Sequence, residues 1–334
     1  MIYMGAIVWS LENFLNTMLD VVIIKTDLVI SEDFLVEILR EEFPDERTFI
    51  NVSKRRNYPV RIRSEEFDFY CWHVRKRLGE LENIQPSIIT YAHRMMEWDE
   101  KGFDPIKVTR RIVDIMTEIH DDADPKLIDP TIVIEKAINE NLAPVALIFD
   151  VIDSLVDNQK MSNTIFPVDE LMWDGGTNLN ELFDKESFPK RESDFIEQKF
   201  INFLQANPEK LEFMHWRNFE RLTAEFFKRE YYEVVLGPGT NDGGIDLRVY
   251  DKNDNSKPYI IVQCKRHKKS NQVKIETVKS FYTDVEFEGA KKGLIATTSK
   301  VAIGGKKVSS IRKYPLQFAE NEEIKNWVNK MKKR

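Results

Sequence analysis

"YEVVLGPGTNDGGIDLRVYDKNDNSKPYIIVQCK", residues 232–265, is the stretch that decides the fold. Three apolar, β-branched runs (232–237, 244–250 and 259–265) are separated by clusters of Gly, Pro, Asn and Asp, the pattern of strands joined by turns. The eight-residue connection "DKNDNSKP" suits a hairpin between the second and third runs but leaves their register open. Outward from this core the period changes. "SDFIEQKFINFLQ" (193–205) puts Ile196, Phe200, Phe203 and Leu204 on one helical face, and "HWRNFERLTAEFFKRE" (215–230) stripes Trp216, Phe219, Leu222, Thr223, Phe226 and Phe227. Downstream, "QVKIETVKSFYTDVEF" (272–287) returns to helix and "KGLIATTS" (292–299) reads as a fourth strand. A helix between two strands makes them parallel neighbours. The order α-β-β-β-α-β predicts an α/β domain, a mixed sheet flanked by helices, closed by a helix carrying Ile324, Trp327, Val328 and Met331.

At 334 residues the chain exceeds what one core usually serves, so two domains are expected. Residues 1–160 read as a mostly α-helical domain, 161–192 as a linker rich in turn formers, and 193–334 as the α/β domain. "SEDFLVEILREEF" (31–43) opens on a Ser N-cap, and helical spacing recurs in 64–79, 86–98, 108–119, 131–140 and 143–156. The β-branched "DVVIIKTDLVI" (20–30) reads as a strand.

Composition narrows the function classes. Two cysteines, Cys71 and Cys264, make neither a disulfide framework nor a cysteine zinc site, and no apolar run approaches a membrane span. No leader pattern opens the sequence, so a cytoplasmic protein without membrane contact is expected. The net charge of −7 hides an asymmetry: residues 260–334 hold 18 Lys and Arg against 7 Asp and Glu, leaving 31 against 49 upstream. A polyanionic partner would therefore meet the C-terminal quarter, although a solvated basic tail has the same composition. No P-loop or Ser-His-Asp signature occurs.

Asp246 lies at the start of the second strand, and Gln263 and Lys265 lie two apart, hence on one face, of the third. If the strands pair, a carboxylate, an amide oxygen and an ammonium converge. Phosphodiester hydrolysis needs a cation and an activated water, and Mg²⁺ is satisfied by one or two carboxylates plus water. Glu220 sits at the margin of its helix's apolar stripe, where a carboxylate is costly unless Lys265 or a metal meets it; an ordinary boundary glutamate is the plain alternative. The triplet Asp242-Gly243-Gly244 is weak by itself, since Asp174-Gly175-Gly176 occurs with no Q-x-K strand after it.

With these residues in order, about 211–315 resembles the Mrr-type restriction endonuclease catalytic domain of the PD-(D/E)xK nuclease superfamily. The resemblance implies a Mg²⁺-dependent DNA endonuclease, with Mn²⁺ as a substitute. Asp246 would be a metal ligand, Lys265 would orient the water or stabilise the transition state, and Glu220 would support the metal or that lysine. Gln263 stands where an acid is common. Its amide oxygen ligates a hard cation but carries no charge and is no base, which predicts weak metal affinity or reliance on Glu220 and Asp242. The backbone carbonyl of Cys264 is a further candidate ligand, its side chain pointing to the opposite face.

Arg266, His267, Lys268 and Lys269 form a basic run, extended by Lys306 and Lys307, for phosphate contacts that give affinity rather than sequence reading. Thr298 and Ser299 end the fourth strand, where their hydroxyls would reach a phosphate or act as ordinary strand hydroxyls. "NVSKRRNYPVRIRS" (51–64) reads as a solvated charged loop or a contact for nucleic acid or an anionic signal. The expected partners are DNA, further copies of the chain, and an activating protein or ligand at the N-terminal half. The expected role is a restriction or phage-defence effector. The competing readings are a non-catalytic DNA-binding adaptor on a degenerate nuclease fold, and an RNase on the same site.

Overall fold

The computed structural model describes residues 6–50, 52–80, 88–120, 130–161, 176–239, 243–253 and 255–332. They fall into two compact units, one drawn from Arg63–Trp72 and Glu82–Val168, the other from Ala6–Ile62, His73–Leu81 and Asp169–Arg334. In the first unit, helices Ile88–Glu100, Pro105–His120, Pro130–Asn139 and Val145–Met161 follow the spacing read from sequence. Val108, Ile112, Ile115, Val133, Leu147, Ile148 and Val151 form its core. Each helix turns one apolar stripe inward, so burial supplies the stability that short helices lack alone.

The second unit carries the sheet. From Gln198 onward its α-helices and strands are helix α1 (Gln198–Ala206), helix α2 (Trp216–Arg229), strands β1 (Glu233–Leu236), β2 (Leu247–Tyr250), β3 (Ile260–Lys265) and β4 (Gln272–Val273), and helix α3 (Ile275–Glu288). Strands β5 (Lys292–Thr297) and β6 (Lys300–Val301), helix α4 (Ile303–Ile311), strand β7 (Leu316–Ala319) and helix α5 (Asn321–Met331) complete it. Five strands form one mixed sheet in the order β7-β5-β3-β2-β1. β1, β2 and β3 pair antiparallel, whereas β3, β5 and β7 run parallel. The β2–β3 register sets Leu247 opposite Val262 and Arg248 opposite Ile261. Against Ile261 and Ile295, α3 packs Val278, Phe281 and Val285.

Two expectations are corrected. The run 20–30 is mostly helical: Leu11–Thr26 is one helix, capped by the Ser10 side chain and burying Leu11, Phe14, Leu15, Met18 and Val22. That burial at helical spacing outweighs the β preference of Val21 to Ile24, and only Leu28–Val29 pair as a strand. The sheet also gains α4 and β7 beyond the expected last strand; "LQFA" is too short to alternate visibly and is extended through parallel pairing with β5.

The compact units, finally, do not follow boundaries at 160 and 193. Residues 6–62 group with the sheet, and the described part of the expected linker is built into the same unit. Thr177 pairs with Leu28, and Asn218 of α2 donates to the carbonyls of Glu181, Leu182 and Lys185 while accepting from Ser187 N–H. Because this segment lies over α2, the helix buries Arg217, Asn218 and Glu225 as well as its apolar stripe.

Candidate active site

Asp246 is held from three sides. Its N–H donates to the Val262 carbonyl (2.9 Å), its carbonyl accepts from Gly237 N–H (2.7 Å), and Oδ2 accepts from Cys264 N–H (2.5 Å). Only 7% of it is exposed. The approach to it needs glycine: Gly244 has φ +87°, and a Cβ there would lie 2.9 Å from Gln263 Nε2.

That close approach belongs to a hydrogen bond. Gln263 Nε2 donates to the Gly244 carbonyl at 2.9 Å. A carbonyl acceptor identifies the amide nitrogen, so the other amide atom is the oxygen. Gln263 Oε1 is buried and has no hydrogen-bond partner among the described residues, in a residue only 6% exposed. An orphaned buried acceptor is costly and marks a place for a cation or a donor. Lys265, two residues on and half-buried, ends β3, its carbonyl accepting from Thr297 Oγ1 at 2.7 Å.

The Cys264 side chain is buried, with Sγ 3.6 Å from Thr223 Oγ1 on α2, as the alternation predicted. Burial pushes its thiol well above the usual range and the Asp246 charge adds to that, while Thr223 and Lys265 pull the other way. The Glu220 charge also raises the Cys264 thiol.

Glu220 is 4% exposed, further inside than a margin position. The cation at its Oε2 is Arg217, whose Nη1 donates at 2.6 Å. Sequence reading missed Arg217, although its place three residues before Glu220 on a helix was the available signal. The same guanidinium donates from Nε to Glu186 Oε1 (3.1 Å) and from Nη2 to the Gly237 carbonyl (2.7 Å). Burial alone would lower the Arg217 pKa, but its bonds to Glu220 and Glu186 outweigh that and raise it. At the helix start His215 Nδ1 caps Arg217 N–H at 3.3 Å, and burial lowers the His215 pKa.

The structure does not bring every expected residue to the site. Thr298 Oγ1 accepts from His267 N–H (2.9 Å) and donates to His267 O (2.7 Å), and Thr297 Oγ1 lies 3.2 Å from Ser299 Oγ. Thr298 and Ser299 are both buried; the Thr298 hydroxyl ties the end of β5 to the segment after β3, and that of Ser299 bonds within its own turn. Lys306 is ion-paired with Glu320, and Arg266 reaches the Glu212 carbonyl. Lys268, Lys269 and Lys307 are exposed. In the stretch 51–64, Arg56 is paired with Glu12 and Glu32. Asp242 and Asp174-Gly175 lie outside the described residues. Among the described residues no three His, Cys, Asp or Glu side chains cluster as a metal site.

The segment that carries this arrangement, a β3 strand bearing Q-x-K beside a buried strand-start aspartate, lies within a match to a known family. Residues 211–328 match the Mrr-type restriction endonuclease domain. The match ends at 328 rather than 315, taking in α4, β7 and most of α5 of the Mrr-like domain. Among solved structures, the MspJI restriction endonuclease in complex with a 27-mer oligonucleotide is similar at 19% identity and a TM-score of 0.28, over 40% of this chain and 30% of that one. The chain thus spans about 30% of that protein's length. No curated protein matches. The Mrr-like domain supports a nuclease, and among the described residues no helix is long and apolar enough to cross a membrane.

Proposed function

We propose that this protein is a Mg²⁺-dependent DNA endonuclease, a restriction or phage-defence effector whose N-terminal half governs target choice, assembly or activation. One observation carries the reading: a buried amide oxygen, Gln263 Oε1, without a partner among the described residues, on the strand that also bonds Asp246 and ends in Lys265, within an Mrr-like domain.

The donor set fits a hard cation, because Asp246 offers a carboxylate, Gln263 an amide oxygen and Cys264 a backbone carbonyl. Bound there, Mg²⁺ would supply charge against the growing negative charge of the phosphate and a water of lowered pKa. Lys265, on the Gln263 face of β3, orients the attacking water and meets the developing charge. Gln263 cannot take the water's proton, so it holds and orients only. Glu220 acts at one remove, its Oε2 carrying the hydrogen bond from Arg217. With Asp246 as the anionic ligand, cation affinity is weak.

The test is plasmid nicking with Mg²⁺ or EDTA by wild type, Asp246→Ala and Lys265→Ala. Nicking by wild type that both substitutions abolish is expected, and equal nicking by all three sinks the reading. A DNA-binding adaptor is the second reading, favoured by the Arg217–Glu220 pair and the neutral Gln263. It predicts salt-sensitive DNA binding that Asp246→Ala leaves alone and no metal requirement. An RNase on the same site would instead prefer RNA in direct competition with DNA.

A further inference from the structure

We infer that Arg217 is a positioning residue of this site. It keeps Glu220 out of the cation's ligand set and ties α2 to the turn that delivers Asp246. The inference rests on the metal-nuclease reading above and deepens it.

Three bonds radiate from the one buried guanidinium, to Glu186, Glu220 and the Gly237 carbonyl. Glu186 comes from the segment laid over α2, Glu220 from α2 itself, and Gly237 from the end of β1. The Gly237 N–H in turn donates to the Asp246 carbonyl, so two hydrogen bonds separate Arg217 from the backbone of the expected metal ligand. The turn is shaped around the guanidinium: Gly239 has φ +82°, and a Cβ there would come within 3.1 Å of Arg217 Cζ. Only a planar fork with several donors joins three acceptors in this way; a lysine ammonium does not reproduce it.

The pair also sets the charge of the site. A carboxylate buried as deeply as Glu220 requires a cation, and Arg217 at 2.6 Å provides one within the helix. Two carboxylates, Glu186 and Glu220, then balance Arg217 together with Arg221, which also bonds Glu186. Among the described residues, Asp246 then brings the site a carboxylate and Gln263 a neutral oxygen. Glu220 therefore serves Arg217, and Arg217 serves the geometry of Asp246.

The experiment uses full-length protein and Mn²⁺ as probe, its binding followed by loss of the free-ion electron paramagnetic resonance signal. Nicking rate at saturating Mg²⁺ and Tm are measured alongside. Glu220→Gln is expected to keep the Mn²⁺ dissociation constant within about threefold of wild type, whereas Asp246→Asn weakens it at least tenfold. Arg217→Lys and Arg217→Gln are expected to slow nicking at least tenfold at saturating Mg²⁺. The double variant Arg217→Gln/Glu220→Gln removes both buried charges, so it should recover Tm yet stay slow. Tenfold weaker Mn²⁺ binding in Glu220→Gln would overturn the inference by making Glu220 a ligand. So would a double variant restored in both Tm and rate, since Arg217 would then only neutralise a buried acid. Mn²⁺ binding that Asp246→Asn leaves intact, or none in wild type, overturns the metal site itself and this inference with it.

Discussion

Gln263→Glu puts an acid at the position where this chain carries an amide, and its consequences differ in sign with and without metal. In the metal-free protein the substitution removes the donor that bonds the Gly244 carbonyl at 2.9 Å and replaces it with an oxygen. The carbonyl of the half-buried Gly244 then faces a like partial charge. Losing this bond to a repulsive contact costs about 1–3 kcal/mol, and repulsion from the neighbouring Asp246 carboxylate adds to it. At roughly 2–4 °C per kcal/mol for a unit of this size, Tm in EDTA should fall by about 2–12 °C. With excess Mg²⁺ the second carboxylate becomes a ligand. If affinity rises about tenfold, saturating metal adds about 1.4 kcal/mol more stabilisation to the variant than to wild type, some 3–6 °C. Thermal unfolding by circular dichroism, in EDTA and in Mg²⁺, reads both effects. A variant as stable as wild type in EDTA would show that the Gln263–Gly244 bond contributes nothing. An equal Mg²⁺ shift in the two proteins would remove Gln263 from the cation site.

Acidification should destabilise the fold through His215. Burial lowers its pKa, and its Nδ1 acts as the α2 cap acceptor, so the folded state holds it neutral. The unfolded chain takes up the proton first, so this contribution is complete above pH of about 6.5 and is lost as pH falls below it. A urea midpoint unchanged between pH 7.5 and 5.5 would contradict this. Thr298→Val should cost about 1–3 kcal/mol of stability by leaving the His267 N–H and carbonyl unpaired; DNA affinity at fixed salt should be unmoved, and a selective loss of affinity would restore the phosphate-contact reading. Lys268→Ala and Lys269→Ala, both at exposed positions, should each reduce the slope of log affinity against log salt by about 0.9; fluorescence anisotropy on duplex DNA with unchanged slopes would exclude them as phosphate contacts.

Much of the Mrr-like domain was legible in one dimension, because alternation and helical spacing are local consequences of which face is buried. The runs at 232–237, 244–250 and 259–265 contain β1, β2 and β3, and the stripe of 215–230 became α2. The order of Glu220, Asp246, Gln263 and Lys265 was likewise readable, since period two alone puts Gln263 and Lys265 on one face.

What the residues themselves could not decide was partnership. Glu220 lies three residues from Arg217 and distant in sequence from Lys265, and spacing allows either cation or a metal. Packing of residues 176–195 over α2 buries Arg217, and burial leaves its guanidinium no choice but Glu186, Glu220 and Gly237. The Thr298 hydroxyl could be read from sequence as a phosphate contact or an ordinary strand hydroxyl, and pairing of β3 with β5 set it against the His267 backbone. The strand "LQFA" needed β5 beside it to be a strand at all. Local pattern follows from the chemistry of neighbouring residues and was determined by the sequence alone. The partner of a buried charge depends on which distant backbone arrives beside it, and only the tertiary structure decided that.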